Sequence, residues 1–164
     1  MWLTGLPSSG KSTLAARLAN ALRAAGRPSL LLDGDEVRAA LVPAPGYTAA
    51  ARDAFYATLA NLAALLAGQG AIAIVAATAN RRSHRERARS LFPRFVEVYL
   101  EVPLDECRRR DSKGLYARAA EGRAHDVPGA DAAYEAPQAP DVVARGGEDA
   151  EALQQILRHL DAAR

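Results

Sequence analysis

Whole classes of protein are excluded by what this sequence lacks. It holds one cysteine, Cys107, in 164 residues. That rules out an intrachain disulfide and a cysteine-built zinc site. A small buried residue on a helix is the reading left for Cys107. Aromatic residues make up only 5%, and none is interleaved with the basic run Arg81, Arg82, Arg85, Arg87 and Arg89. Nucleic-acid-binding surfaces pair basic charge with stacking platforms or a wide basic face. The run therefore reads as a solvated helix face, with Arg82 or Arg85 near a phosphate as the alternative. The formal net charge is +2, too small to imply a nucleic-acid partner. No stretch approaches the roughly 20 apolar residues that a spanning helix needs, so no membrane partner is expected. His84, His125 and His159 are scattered and form neither a metal cluster nor a triad. Lysine occurs only at Lys11 and Lys113. A compact ammonium suits phosphate, which makes both positions conspicuous.

What is present alternates between strand and helix. Apolar runs at Met1–Thr4, Pro28–Leu32 and Ala71–Ala77 predict buried strands, with further strands at Phe95–Val102 and Asp141–Ala144. Helical spacing marks Lys11–Ala25, Thr48–Ala67, Arg82–Leu91, Leu104–Arg110 and Glu148–Leu160. Residues 111–140, rich in Gly, Pro, Ala and charge, read as a mobile segment with one short helix near Leu115–Ala120. The chain length suggests one domain over 1–164. The pattern predicts an α/β fold of three αβα layers on a mostly parallel five-stranded sheet. Ligands then belong at the carboxyl ends of the first three strands, above Gly5, Asp33 and Ala77. The opening residues run straight into a phosphate loop and leave no room for a signal peptide, so a cytoplasmic location is expected.

That loop is Gly5-Leu6-Pro7-Ser8-Ser9-Gly10-Lys11-Ser12, placed between a strand and a helix. Its glycines let the backbone curl so that successive N–H groups face phosphate oxygens, and the helix N-terminus adds partial positive charge. Gly5, Ser8, Ser9, Gly10, Lys11, Ser12 and Thr13 are the expected ATP-binding residues. Lys11 would reach the β- and γ-phosphates, and the Ser12 hydroxyl would be a Mg²⁺ ligand. A switch GTPase is disfavoured, because neither lysine is followed two residues later by the aspartate of a guanine-reading motif. A motor ATPase is disfavoured because the third strand ends without a carboxylate. Small kinases instead take acids from the end of the second strand, where Asp33-Gly34-Asp35 stands. Asp33 is a candidate base, or a holder of Mg²⁺ through water. Asp35 either caps the next helix or works beside Asp33. Arg38, one turn on, is either an anion clamp or a solvated helix charge.

With these residues the chain resembles the adenylylsulfate kinase family. The resemblance rests on Gly-Leu-Pro-Ser-Ser-Gly-Lys-Ser-Thr at 5–13, Leu-Asp-Gly-Asp-x-x-Arg at 32–38 and Val-Pro-Leu-Asp-Glu-Cys at 102–107. It continues through Arg-Asp-Ser-Lys-Gly-Leu-Tyr at 110–116 and Gly-Ala-Asp-Ala-Ala-Tyr-Glu-Ala-Pro at 129–137. It implies transfer of the ATP γ-phosphate to the 3′-hydroxyl of adenosine 5′-phosphosulfate, with Mg²⁺. It also implies that Lys11, Asp33 and Lys113 are catalytic, and that Asp35 belongs near magnesium and the acceptor. The same resemblance makes the mobile segment 111–140 a lid. Arg38 and Arg52 would hold the phosphosulfate, Lys113 and Leu115 would approach the acceptor from the lid, and Tyr47 would stack on its adenine. Arg110 would lie near the ATP base. A homodimer is implied by the same resemblance.

Besides Glu36, which stands for a family asparagine after Asp-Gly-Asp, the pattern breaks at four positions. Phe55 stands for a family asparagine, Thr58 for an arginine, Ala79 for a serine and Val127 for a lid phenylalanine. All four are expected on the acceptor side, where losing one stacking ring would weaken adenine binding by about 1–3 kcal/mol. Two alternatives follow: a different nucleotide-like acceptor, or a non-catalytic nucleotide-binding module.

Overall fold

Residues 1–111 and 113–161 are described by the computed structural model. Ser112, within the 110–116 segment singled out above, and residues 162–164 lie outside them. The elements in chain order are β1 (Trp2–Gly5), α1 (Lys11–Ala24), β2 (Ser29–Asp33), α2 (Gly34–Ala40), α3 (Ala49–Gly68), β3 (Ile72–Ala76) and α4 (Arg82–Arg89). Then follow β4 (Glu97–Leu100), α5 (Leu104–Arg110), α6 (Leu115–Ala120), β5 (Val142–Ala144) and α7 (Ala150–Asp161).

The strands form one sheet in the order β2-β3-β1-β4-β5. Every neighbouring pair is parallel, with Trp2 opposite both Val75 and Glu97. Side chains alternate across the sheet and feed two cores. Leu3, Ile74, Val98 and Leu100 point to one face and pack with Leu14, Leu18, Leu22 and Ile156 of α1 and α7. Trp2, Ala73 and Val75 point to the other and meet Phe55, Leu59 and Ala88 of α3 and α4. Burial on both faces explains why β1 and β3 read as unbroken apolar runs rather than alternating ones.

Local chemistry sets the boundaries. α1 ends because Gly26 takes φ 67°, letting the Gly26 and Arg27 N–H groups bond back to Arg23 and Leu22. That is the Schellman arrangement, for which glycine carries no Cβ penalty. Thr48 caps α3 by accepting the Ala51 N–H at 3.3 Å. The helix after β2 is capped by Asp33, which accepts from the Asp35 and Glu36 N–H groups at 2.9 and 3.4 Å. Of the two readings of Asp35, this excludes the cap: Gly34 already belongs to the helix, so the capping position falls on Asp33.

The basic run is also corrected in part. Arg81, Arg87 and Arg89 are exposed, but Arg85 is buried at 2% exposure. Its guanidinium donates to Glu97 Oε1 at 2.7 Å, to the Ala79 carbonyl at 2.5 Å and to the Glu135 carbonyl at 2.6 Å. Ala79 sits at φ 41°, a conformation costly for alanine, and the bond from Arg85 helps to hold it there. The Glu135 side chain accepts the Arg82 N–H at 2.8 Å and so caps α4 from a distant segment. A third apolar cluster joins Val102 and Cys107 to Tyr116 and Val127, seating residues of the 111–140 segment on the body of the domain.

Candidate functional site

A cavity of about 1240 Å³ opens above the carboxyl ends of β1, β2 and β3. Small-molecule pockets typically span roughly 300–1,000 Å³, so this one is larger than a single small ligand usually requires. Of the predicted residues, Ser8, Gly10, Lys11, Ser12, Thr13, Asp33, Asp35, Arg38, Tyr47, Arg52, Arg110, Lys113 and Leu115 line it. Gly5 and Ser9 do not; they pack beneath the loop. A Cβ on Gly5 would lie 2.8 Å from Ser9 Oγ and 2.9 Å from the Leu100 carbonyl. Both residues shape the loop rather than wall the cavity.

The donor wall is made largely of backbone. Gly10 adopts φ 95° at the mouth of α1. A Cβ there would lie 2.5 Å from the Gly147 nitrogen, and one on Gly147 would lie 2.6 Å from Thr13 Cβ. The phosphate loop thus interlocks with the loop after β5, whose residues Arg145, Gly146, Gly147 and Glu148 also line the cavity. The sequence reading missed this second glycine loop; its only signal was the Gly146-Gly147 pair following a strand. Arg110 reaches the same wall, with Nε on Glu106 Oε1 at 2.9 Å and Nη1 beside Gly146.

Lys11 lines the cavity, and its ammonium rests on the Gly5 and Leu6 carbonyls at 3.0 and 2.7 Å. Burial lowers its pKa to about 8, against the opposing pull of Asp35, Cys107 and Asp33. The Ser12 hydroxyl donates to Asp33 Oδ2 at 2.5 Å, joining the loop to the end of β2. Lys113 crosses from the lid to Asp35 Oδ2 at 2.6 Å, and this bond raises the lysine's pKa.

The acceptor wall is made of side chains. Arg38 is 7% exposed, which overturns its reading as a solvated helix charge. Its Cζ stands 3.9 Å from the Phe55 ring centroid and 4.5 Å from that of Tyr47. Arg52 donates to the Tyr47 carbonyl at 2.9 Å and to the Asp126 carbonyl at 2.5 Å, tying α3 to the lid. The lid is seated locally as well: Asp111 caps α6 through the Leu115 and Ala117 N–H groups, and the Tyr116 hydroxyl donates to Pro7 of the phosphate loop at 3.3 Å.

The four departures separate here. Phe55 and Val127 line the cavity. Thr58 is exposed and its hydroxyl bonds back to the Ala54 carbonyl at 3.1 Å. Ala79 is fully buried, outside the cavity wall. Two of the four thus line the cavity, and the other two lie away from its wall. Arg118, Arg123 and His125 also line the cavity, although no motif marked them.

A family model described as adenylylsulphate kinase matches residues 1–145. The chain is 42% identical over 163 residues to the bifunctional enzyme NodQ of Azospirillum brasilense, covering 98% of this chain and 26% of that protein. It therefore spans about a quarter of the length of the NodQ enzymes it matches. It is 42% identical over 144 residues to the adenylyl-sulfate kinase of Aeromonas hydrophila subsp. hydrophila, covering 87% of this chain and 73% of that one. Among solved structures, the Mycobacterium tuberculosis APS kinase CysC in complex with AMPPNP and APS matches with a TM-score of 0.91 at 35% identity. That match covers 98% of this chain and 95% of the other.

Proposed function

Since the chain belongs to the adenylylsulphate kinase family, we propose that it transfers the γ-phosphoryl group of ATP to the 3′-hydroxyl of adenosine 5′-phosphosulfate. The products are 3′-phosphoadenylylsulfate and ADP, a step of sulfate assimilation. The observation that carries this reading is the joining, around one cavity, of a phosphate loop, a pair of aspartates and a lid lysine.

The oxygen set at Ser12 and Asp33 fits magnesium, which favours six oxygens and usually takes only one or two from protein. Among the described residues no group of three His, Cys, Asp or Glu gathers, as suits a site completed by phosphate and water. Bound there, the ion would neutralise charge on the β- and γ-phosphates. Ser12 would hold it directly and Asp33 through water. Lys11 would leave its loop carbonyls and turn to the phosphate oxygens. Asp33 would orient the acceptor hydroxyl and take its proton as the new O–P bond forms and the β–γ bridge breaks. Lys113 would give up Asp35 and place its charge against the transferring group. Arg38 and Arg52 would hold the anionic end of the acceptor, and Tyr47 would offer its exposed ring to the base. With the lid seated, water is kept from the γ-phosphate.

The test is ADP release coupled to a reporter, with and without adenylylsulfate. Turnover should rise well above background hydrolysis when the acceptor is added; an unchanged rate rejects this acceptor. A second reading, a different nucleotide-like acceptor, is favoured by one feature: Phe55 and Val127 give the cavity two apolar walls where the family carries an asparagine and a second stacking ring. A panel of nucleotide acceptors in the same assay separates the two. No helix among the described residues is long and apolar enough to cross a membrane. A cytoplasmic site of action is inferred from the use of ATP.

A further inference from the structure

We propose that Phe55 is a positioning residue for acceptor binding, holding Arg38 flat at the cavity wall so that the cation meets the acceptor's anionic end already oriented. The proposal rests on the functional reading above, in which Arg38 grips that end.

Three observations carry it. The Arg38 Cζ lies 3.9 Å from the Phe55 centroid and 4.5 Å from that of Tyr47, well inside the range where an aromatic face attracts a guanidinium. Phe55 is itself immobilised. It is 3% exposed, sits on the buried stripe Arg52-Phe55-Tyr56-Leu59 of α3, and lies 5.4 Å from the Tyr56 ring. Finally, the guanidinium spends one nitrogen on the wall: Nη1 donates to the Pro45 and Gly46 carbonyls at 3.0 and 2.7 Å. Among the described residues Nε and Nη2 have no protein acceptor.

A guanidinium is weakly hydrated on its faces and donates from its edge. Rings against its face therefore fix the plane without consuming the edge. Arg38 carries more rotamer freedom than almost any other side chain, and freezing it during binding would cost affinity. The Phe55 ring meets that cost in advance. The chain thus replaces a polar contact to the ligand with an apolar contact to the residue that touches the ligand.

The competing view treats Phe55 as core filler. Three variants separate the two. Phe55→Leu keeps the apolar volume and removes the aromatic face. Phe55→Tyr keeps the face. Arg38→Ala removes the cation. The proposal expects Phe55→Leu to raise KM for adenylylsulfate about 3- to 30-fold, the upper part of the range for a cation over a ring. KM for ATP and kcat should stay within about twofold, and Phe55→Tyr should behave like the parent. In the Arg38→Ala background, Phe55→Leu should add nothing further. A KM change below about twofold, equal effects of Leu and Tyr, or full additivity with Arg38→Ala would overturn it.

If the parent protein does not turn over adenylylsulfate, the functional reading has failed and the stack is tested without ligand. Urea unfolding of the parent, both single variants and the double variant then measures the coupling between Phe55 and Arg38 directly. A clear coupling keeps the stack as the device that orients Arg38 for whichever anion binds. Independent midpoint shifts overturn it.

Discussion

The donor and acceptor walls of the cavity are built by different means. The donor wall is backbone: a curled loop, a helix N-terminus and two glycines packed too closely for a methyl group. The acceptor wall is side chain: Arg38, Tyr47, Arg52 and Phe55 from α2, α3 and the segment between them, with Val127 from the lid. Backbone recognition tolerates little change, because a displaced N–H has no substitute. Side-chain recognition can be rebuilt, and the Phe55 ring 3.9 Å from the Arg38 Cζ is the contact proposed above as such a replacement. Conserving the donor while remodelling the acceptor is open to an enzyme whose two substrates meet only at one phosphorus atom.

The sharpest way to break this comparison is at the charge both substrates share. Lys11→Ala should lower kcat by about 10²- to 10³-fold, the usual effect of losing one preorganised transition-state donor. Its thermal midpoint should not fall, because the ammonium rests on carbonyls and not on a carboxylate; steady-state kinetics and a melting curve check both. Next comes the buried anchor of the Ala79 turn, away from the cavity wall. Arg85→Met leaves Glu97 largely buried beside the half-exposed Arg89 and should cost about 3 kcal/mol in urea unfolding. It should also loosen the Ala79 turn that Arg85 holds.

Gly147→Ala tests the interlock on the donor side. Overpacking against Thr13 and Gly10 should cost about 1–3 kcal/mol and raise KM for ATP, leaving acceptor binding to Arg38-dependent contacts unchanged. A titration sharpens the same wall. With its folded pKa lowered by burial to about 8, against 10.5 ordinarily, Lys11 loses its proton in the folded state first. Between those values the unfolded chain holds more protons, so this residue's contribution to stability rises with pH. ATP affinity should move the other way. Triphosphate favours the charged ammonium, so KM for ATP should climb above pH 8, with proton uptake on binding visible by calorimetry in buffers of different ionisation enthalpy. The smallest effect marks the border of the acceptor wall. Thr58→Arg, which restores the family residue at an exposed position, should change KM for adenylylsulfate less than twofold.

How much could be read in advance follows the same division. The phosphate loop was legible because backbone curling needs glycine at fixed local spacing, and the sequence carries that spacing. The strands were legible for different reasons: β1 and β3 as continuous apolar runs, because the sheet is covered on both their faces, and β4 through its alternation. The stack of Arg38 on Phe55 was not, since residues on separate helices meet only through tertiary packing. Thr58 was misplaced because the family pattern names the residue that stands there but does not reveal that α3 turns this position to solvent. Arg85 was misread because a basic run on a polar helix gives no hint of a carboxylate on the neighbouring strand. The role of Asp33 as cap was hidden by Gly34, whose helical conformation the sequence does not announce.

The contact between Gly10 and Gly147 bears on where a minimal working unit would end. The family model matches residues 1–145, and a fragment cut there would retain every motif quoted above. It would nonetheless lose the brace behind the phosphate loop, together with α7, whose Ala152 and Ile156 fill the core against α1. Anyone trimming the protein to its recognisable part should recover a chain that looks complete on paper and cannot grip a nucleotide.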